Sequence, residues 1–371
     1  MPKVADIIRI IDQMAPRRLA EEWDNVGLHF GNPDWPVSTI FVSLDPTVQA
    51  VEAAAAAGAD MLVTHHPLIF KPLKQINTGS PAGAVIDFAA RNRIAVFCAH
   101  TNLDAAAGGI NDVLAEKIGM KVTGPLSYVP EAQRYKIVVF APPSDVDPIF
   151  DAISDTSAGR IGKYTRCAFC SEGVGQFVPG PENRPHTGAP GRLSRADEIR
   201  IEIPVAVEDL DTVISRIKNR HSYETPAYDV YPLYREKSAK GIGRIGAFEE
   251  ARPLLQLAGD IKAALSLKMV KIAGPPDLLV KTGAVCSGGG GGMVGDFLSA
   301  EAQVYISGDL NHHAALDIAA KNRGLVDIGH FSSEQLYVPV LCSRIREALN
   351  KKSMGVDVIP WKEEPDPFEY V

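Results

Sequence analysis

Between residues 40 and 104, three short apolar runs, each closed by a titratable residue, alternate with two helical segments. That alternation restricts the fold more than any other feature of the 371-residue sequence. Residues 40–44 read as a strand ending at Asp45, and residues 48–57 as an alanine-rich helix stopped by Gly58. Residues 61–64 read as a strand ending at His65 and His66, and residues 84–92 as a helix. Residues 94–99 read as a strand ending at His100, with Asp104 just beyond. A β-α-β-α-β order implies parallel strands joined by right-handed crossovers. Ligands of open α/β sheets bind beyond the carboxyl ends of the strands. Asp45, His65, His66, His100 and Asp104 are therefore expected on one rim. Adjacent side chains of a regular strand point to opposite faces. His65 and His66 can share a pocket only where the strand gives way to a loop, which Pro67 favours.

The pattern changes near Pro130. Residues 135–141 read as a strand, 146–154 as a helix, 164–177 as short alternating strands and 179–193 as a Pro- and Gly-rich loop. In 198–205, Ile199, Ile201, Ile203 and Val205 alternate with polar residues, as in a half-buried strand. Residues 210–220 read as an amphipathic helix, and 221–230 lead into a final strand. Two β-α-β halves around antiparallel strands predict a ferredoxin-like module. The expected organisation is a core formed by residues 1–133 and 235–371, with residues 134–234 as an inserted domain.

Parallel α/β patterning then resumes, with a helix at 254–265 and strands at 270–273 and 282–286. The run from Ser287 to Met293, five glycines among its seven residues, lacks the Lys-Ser/Thr of a P-loop and the spacing of a dinucleotide fingerprint. A tight turn requiring positive φ is the favoured reading. A strand at 304–307 leads into Gly308-Asp309, and a helix at 313–321 begins at His313. A strand at 325–328 ends in Gly329-His330, and the last long helix is expected to start near Phe331 with Ser332 as its N-cap. Glu334 falls one turn beyond His330.

The formal net charge of -7 argues against a nucleic-acid partner. Five cysteines at irregular spacing do not form a secreted disulfide framework, and Cys167-Ala-Phe-Cys170 lacks the second pair of a zinc site. Asp6, Arg9 and Asp12 interrupt the N-terminal apolar stretch, which reads as an amphipathic helix and not as a signal peptide. No apolar run is long enough to span a membrane, and a cytoplasmic protein is the expectation.

The chemistry gathers in His65, His66, Asp104, His330 and Glu334. Three imidazoles and two carboxylates without cysteine suit Zn, Fe, Mn or Ni. They suffice for two divalent metal ions if one carboxylate bridges. At these positions the chain resembles a known family. Thr64-His65-His66-Pro67, His100-Thr-Asn-Leu-Asp104, Ser307-Gly-Asp309 with His313, Gly329-His330 with Glu334, and Trp23-Asp24-Asn25-Val-Gly27 look like the Nif3-like proteins, also catalogued as GTP cyclohydrolase 1 type 2 homologs. The resemblance covers essentially the whole chain. It implies a Nif3-like two-lobed α/β core, a toroidal homohexamer, and a dinuclear centre held by His65, His66, Asp104, His330 and Glu334, with Glu334 bridging. Residues 221–229 resemble the PII- or CutA-like module of longer bacterial members, with Ser222 where proline is more usual.

The activity that follows is that of a metal-dependent hydrolase of the cyclohydrolase or amidohydrolase type. It would act on a small nucleotide-like or cyclic amide substrate through a metal-activated water, with Asp24, His100 or His313 as proton shuttles. The competing expectation is a non-catalytic, metal-binding regulatory hexamer whose insert senses a metabolite. No residue identifies the small-molecule ligand.

Overall fold

In the computed structural model, which describes residues 1–128, 133–234 and 240–369, the N-terminal helical spacing becomes α1 (Val4–Met14), with Val4, Ile7, Ile10 and Ile11 buried. The alternation that follows becomes β1 (Gly27–Phe30), β2 (Thr39–Ser43), α2 (Val48–Ala56), β3 (Met61–Thr64), α3 (Pro81–Asn92) and β4 (Ala95–Cys98). Next come α4 (Thr101–Ala105), α5 (Ile110–Lys117) and β5 (Met120–Gly124). Thr47 and Ser80 begin α2 and α3 by accepting the N–H of Ala50 and Gly83 on their side-chain oxygens. β2, β3 and β4 are parallel neighbours. Every residue of β3 and β4 is buried, because both faces are covered. Met61 and Val63 join the core cluster that includes Ile7 and Ile11, whereas Leu62 and Val96 pack with Val51, Val85 and Ile86. A strand buried on both faces is apolar throughout, without alternation.

The inserted segment forms β6 (Arg134–Ala141), α6 (Val146–Ala152), β7 (Phe169–Phe177), β8 (Ser194–Ala206), α7 (Leu210–Arg220) and β9 (Tyr228–Pro232). The four strands are antiparallel in the order β7-β8-β6-β9, the ferredoxin-like arrangement. Where residues 164–177 predict several short strands, one strand forms, β7.

The remainder forms β10 (Arg244–Pro253), α8 (Leu254–Ala264), β11 (Lys271–Ala273), β12 (Leu279–Gly289), α9 (Val294–Ser299), β13 (Val304–Gly308) and α10 (His312–Ala320). It closes with β14 (Gly324–Asp327), α11 (His330–Glu334), α12 (Val338–Lys351) and β15 (Asp357–Pro360). β12, β13 and β14 are parallel within a six-stranded sheet ordered β11-β14-β13-β12-β10-β5. β15 returns to the first sheet, ordered β1-β4-β3-β2-β15, and pairs parallel with β2. The chain divides into two compact units, Met1–Val129 with Ser238–Val371, and Pro130–Lys237.

Two local expectations fail for identifiable reasons. Ser332 does not cap a long helix. The helix starts at His330, because Gly329 at φ +80° turns the chain directly out of β14. It breaks after Glu334 into a 3-10 turn, Gln335–Tyr337, before α12. Pro339 has no N–H for the Gln335 carbonyl, so the α-helical ladder cannot run through. The glycine run likewise does not follow a strand ending at Cys286, since β12 continues to Gly289.

The inserted unit buries a core of its own that includes Ile137, Val139, Ile149, Ile201, Ile203 and Val213. Residues 133–234, expressed alone, should therefore unfold in one cooperative transition. Ile201 has no exposed surface, and Ile201→Ala should lower the stability of that fragment by about 2–5 kcal/mol, read from the shift in urea midpoint. A broad, non-cooperative melt of the wild-type fragment would show that this core does not stand alone.

Candidate metal centre

The site begins where β3 stops. The backbone N–H groups of His65 and His66 both donate to the Leu44 carbonyl, at 3.1 and 2.9 Å, and the Thr64 hydroxyl donates to the His66 carbonyl at 2.7 Å. The chain bends there, strand alternation ends, and the two rings come side by side with centroids 5.1 Å apart. His100 joins them from the end of β4, its ring 5.1 Å from His65 and 5.6 Å from His66. From the second sheet, Gly329 delivers His330 beyond β14, and its ring lies 5.1 Å from that of His66.

The same rule orients all four rings. His65 Nδ1 faces the Ala99 carbonyl at 3.0 Å, His66 Nδ1 faces Asp45 Oδ1 at 2.7 Å, His100 Nδ1 faces Asp24 Oδ1 at 2.9 Å, and His330 Nδ1 faces Asp309 Oδ2 at 2.9 Å. Carbonyls and carboxylates only accept, so each Nδ1 carries the proton, and in a neutral ring Nε2 is left with a lone pair. The Nε2 atoms of His66 and His330 are 3.2 Å apart.

Two carboxylates face these lone pairs. Glu334, four residues from His330 on the same helical face, places Oε1 3.5 Å from His65 Nε2, and Oε2 3.0 Å from His66 Nε2 and 3.2 Å from His330 Nε2. Asp104 Oδ1 is 3.8 Å from His65 Nε2 and 3.3 Å from the Ser287 hydroxyl. Acceptors therefore meet acceptors, and His65 Nε2 and Glu334 Oε2 are buried without a hydrogen-bond partner. Buried polar atoms are rarely left so. Inward lone pairs and a buried carboxylate oxygen that meet no donor are what a cation requires.

The electrostatics agree. Burial opposes the charge of His66, but the carboxylates of Asp45 and Glu334 beside it outweigh that and push the ring up to about 10. Glu334 raises His330 to about 9, against the effect of burial. Burial works against a charged His65 too, yet Asp104 and Glu334 together raise it. Burial opposes the charge of Glu334, but the surrounding imidazoles hold it well below the usual carboxylate range. Asp104 moves the other way, its burial outweighing the same rings. Asp24, despite burial, is held at about 2 by His100 and Thr101. In the absence of a metal, the cluster draws positive charge in as protons.

The sequence-derived residues fare unequally. His65, His66, Asp104, His330 and Glu334 converge. His100 converges with them as well: its ligand nitrogen lies within 4.8 Å of those of His65 and His66, and a second such group is His66, His330 and Glu334. Asp24 sits behind His100, against the ring nitrogen that faces away from the cluster. His313 is exposed on α10 with its ring against His312, and among the described residues it belongs to neither group. The sequence places Asp45 on the rim and Asp309 in a motif without assigning either the task of orienting a ring. Each follows the strand parallel and adjacent to the one carrying its histidine, β2 beside β3 and β13 beside β14. That adjacency was the available signal. The glycine run also belongs here: a Cβ on Gly288 would meet Glu334 Oε1 at 2.2 Å, and its N–H donates to Ser333 Oγ at 2.7 Å. The glycine admits a carboxylate side chain, and no phosphate need be invoked. His66 and His330 also line a cavity of about 420 Å³ together with Lys271, Phe331 and Phe368.

A family model described as Duf34/NIF3 (NGG1p interacting factor 3) matches residues 2–367. A Bacillus subtilis relative named GTP cyclohydrolase 1 type 2 homolog is 34% identical over 367 residues, covering 98% of each chain. Among solved structures, a Staphylococcus aureus protein superposes with a TM-score of 0.84 at 29% identity, over 100% of this chain and 99% of that one. A Bacillus cereus protein related to NIF3 superposes at 0.75 and 35% identity, with the same coverage. With the family model spanning nearly every residue, this chain belongs to the Duf34/NIF3 family.

Proposed function

We propose that His65, His66, Asp104, His330 and Glu334 hold two divalent metal ions and that the protein is a metal-dependent hydrolase of a small molecule. The observation that carries this is the convergence of histidine lone pairs on the carboxylates of Asp104 and the buried Glu334, with His65 Nε2 and Glu334 Oε2 left without a donor. Two ions are favoured over one because Glu334 directs one oxygen toward His65 and the other toward His66 and His330. The donor set suits Zn, Fe, Mn or Ni. The neighbouring thiols are poor competitors, because burial raises Cys98 well above its ordinary value and pushes Cys286 up to about 12. Bound divalent ions would supply Lewis acidity and a lowered pKa for water.

The chain's own residues do the rest. Asp45 and Asp309 fix the ring planes of His66 and His330. Asp24 stays ionised and orients His100 through its Nδ1–H, so the ring's Nε2 is the atom that would pass a proton to a leaving nitrogen. The name borne by the relatives suggests hydrolysis of a C–N bond in a nucleotide-like ring, and a cyclic amide is the simplest chemical equivalent. Nucleotides, cyclic amides and phosphoesters form the panel to assay with metal-loaded protein. Absence of metal-dependent turnover across all three would count against the hydrolase.

Elemental analysis after stripping and reloading should find two metals per chain. A stoichiometry that never passes one would remove the dinuclear reading. Glu334→Gln should lose more metal than His100→Gln, because Glu334 touches three imidazoles. Asp309→Asn should weaken binding by about 10–100-fold, as loss of a ring-orienting carboxylate does, measured by competition with a chelator.

The pH dependence follows from the raised rings. His66 and His330 carry protons in the metal-free protein below about 10 and about 9, and metal must displace them. Apparent affinity should therefore climb with pH from 7 toward 9. Binding at pH 8 should release on the order of two protons, seen as calorimetric heats that change with the buffer's ionisation enthalpy. Buffer-independent heats would contradict this protonation state.

A further inference from the structure

The inserted unit contains a cavity of about 320 Å³ that plays no part in the metal centre. Its floor is the end of β7 with Glu198 of the adjacent β8, and its walls come from Val178, Pro179, Asn183, Pro185 and His186 on one side and from Tyr223 to Ala227 on the other. Phe177, His186 and Tyr223 border it with their rings, the last two 5.9 Å apart. His221 packs behind Tyr223 with ring centroids 4.8 Å apart, and its Nε2 lies 2.8 Å from the Phe140 carbonyl, so the wall is backed by a fixed ring. Glu198 reaches across β7 over Gly175, where a Cβ would meet its Oε2 at 2.4 Å. The Tyr223 hydroxyl is hydrogen-bonded to Glu198, and burial together with that carboxylate pushes the phenol up to about 12, so it remains a neutral donor. Glu224 Oε2 accepts the Arg184 backbone N–H at 3.1 Å and pins the segment 178–186 that carries the first of these walls. The rest of the lining is largely apolar, and no lysine or arginine is part of it.

We propose that this cavity binds a small organic cation, a protonated amine or guanidinium on a short aliphatic stem. Glu198 and Glu224 supply negative charge that no lining cation neutralises. Aromatic faces attract a cation through the ring quadrupole, and Val178, Pro179 and Pro185 suit methylene groups. The volume is at the lower end of the range for small-ligand sites. A bare metal ion fits less well. Among the described residues, the histidine and carboxylate groups close enough to grip one do not include Glu198, His186 or Glu224. An anion would meet two carboxylates without compensation.

The test is calorimetric titration of the full-length, chelator-treated protein with agmatine, putrescine, magnesium, glutarate and phosphate. Agmatine or putrescine should bind. Glu198→Gln should weaken that binding by about tenfold or more, as expected for loss of a charged hydrogen-bonding partner. Phe177→Ala should weaken it severalfold. His66→Ala, in the other unit, should leave it unchanged. Melting curves of each variant establish that it is folded. The proposal is overturned if neither amine binds at millimolar concentration, if affinity is equal in folded Glu198→Gln, or if magnesium or an anion binds at this cavity in their place. Because the readout is amine binding to metal-free protein, its failure is separate from any failure of the metal centre.

Discussion

A carboxylate buried among three imidazoles is the contact on which the core's local geometry depends. Glu334 is 3% exposed, and an ionised group at that depth is costly unless its charge is met. The surrounding backbone is shaped to admit it. Gly288 has no side chain where one would collide with Oε1. Ser333 turns inward, accepting the Gly288 N–H and donating to the His330 carbonyl, and so ties β12 to the short helix carrying Glu334. That helix is short because Pro339 interrupts the ladder. The result is an independently aimed turn, separate from the long helix that packs against the first sheet.

The remaining geometry follows from parallel sheets. Neighbouring parallel strands end side by side, so the residue following one strand can reach the ring following the next. Asp45 reaches His66, and Asp309 reaches His330, by this device in two different sheets. The carboxyl ends of the sheets must then face one another, since the His66 and His330 nitrogens meet across a sequence separation of 264 residues. A domain inserted between the two halves does not disturb this, because none of the converging residues lies within it.

Much of this was legible from residue order. The central strands, their parallel pairing and the ferredoxin-like insert follow from apolar periodicity; His65, His66, Asp104 and His330 follow from their places at or just beyond strand ends, and Glu334 from its place one turn after His330. What escaped is what pattern does not encode. β1, β10 and β15 lie at or near the antiparallel or outer edges of their sheets, where burial and hence hydrophobic patterning are weaker. Ser332 carried the composition of an N-cap, but Gly329 started the helix earlier. His313 shared a motif with Asp309, yet a helix beginning at His312 turns it to solvent. His100 read as a proton shuttle on the rim, because sequence separation says nothing about how closely a third ring approaches two others. The positive φ of Gly288 was foreseeable, whereas its approach to Glu334, forty-six positions later, was not.

The far end of the chain shows how closely the site and the fold are joined. Glu364, beyond β15, is buried and accepts the backbone N–H groups of Leu44 and Asp45 at 2.7 and 2.8 Å. Those donors favour its ionised form, but burial is the larger effect and raises it to about 7. Asp45 is the residue that orients His66, so the anchor of the C-terminal segment is also the brace of a ring in the cluster. Chain ends commonly fray. Here two charge-assisted contacts to a strand terminus hold the segment in place, and residues 366–369 line the cavity onto which His66 and His330 open. The first sheet thus contributes to the centre from both of its chain segments: β2 to β4 present the rings, and the stretch after β15 supplies part of the wall a ligand must pass.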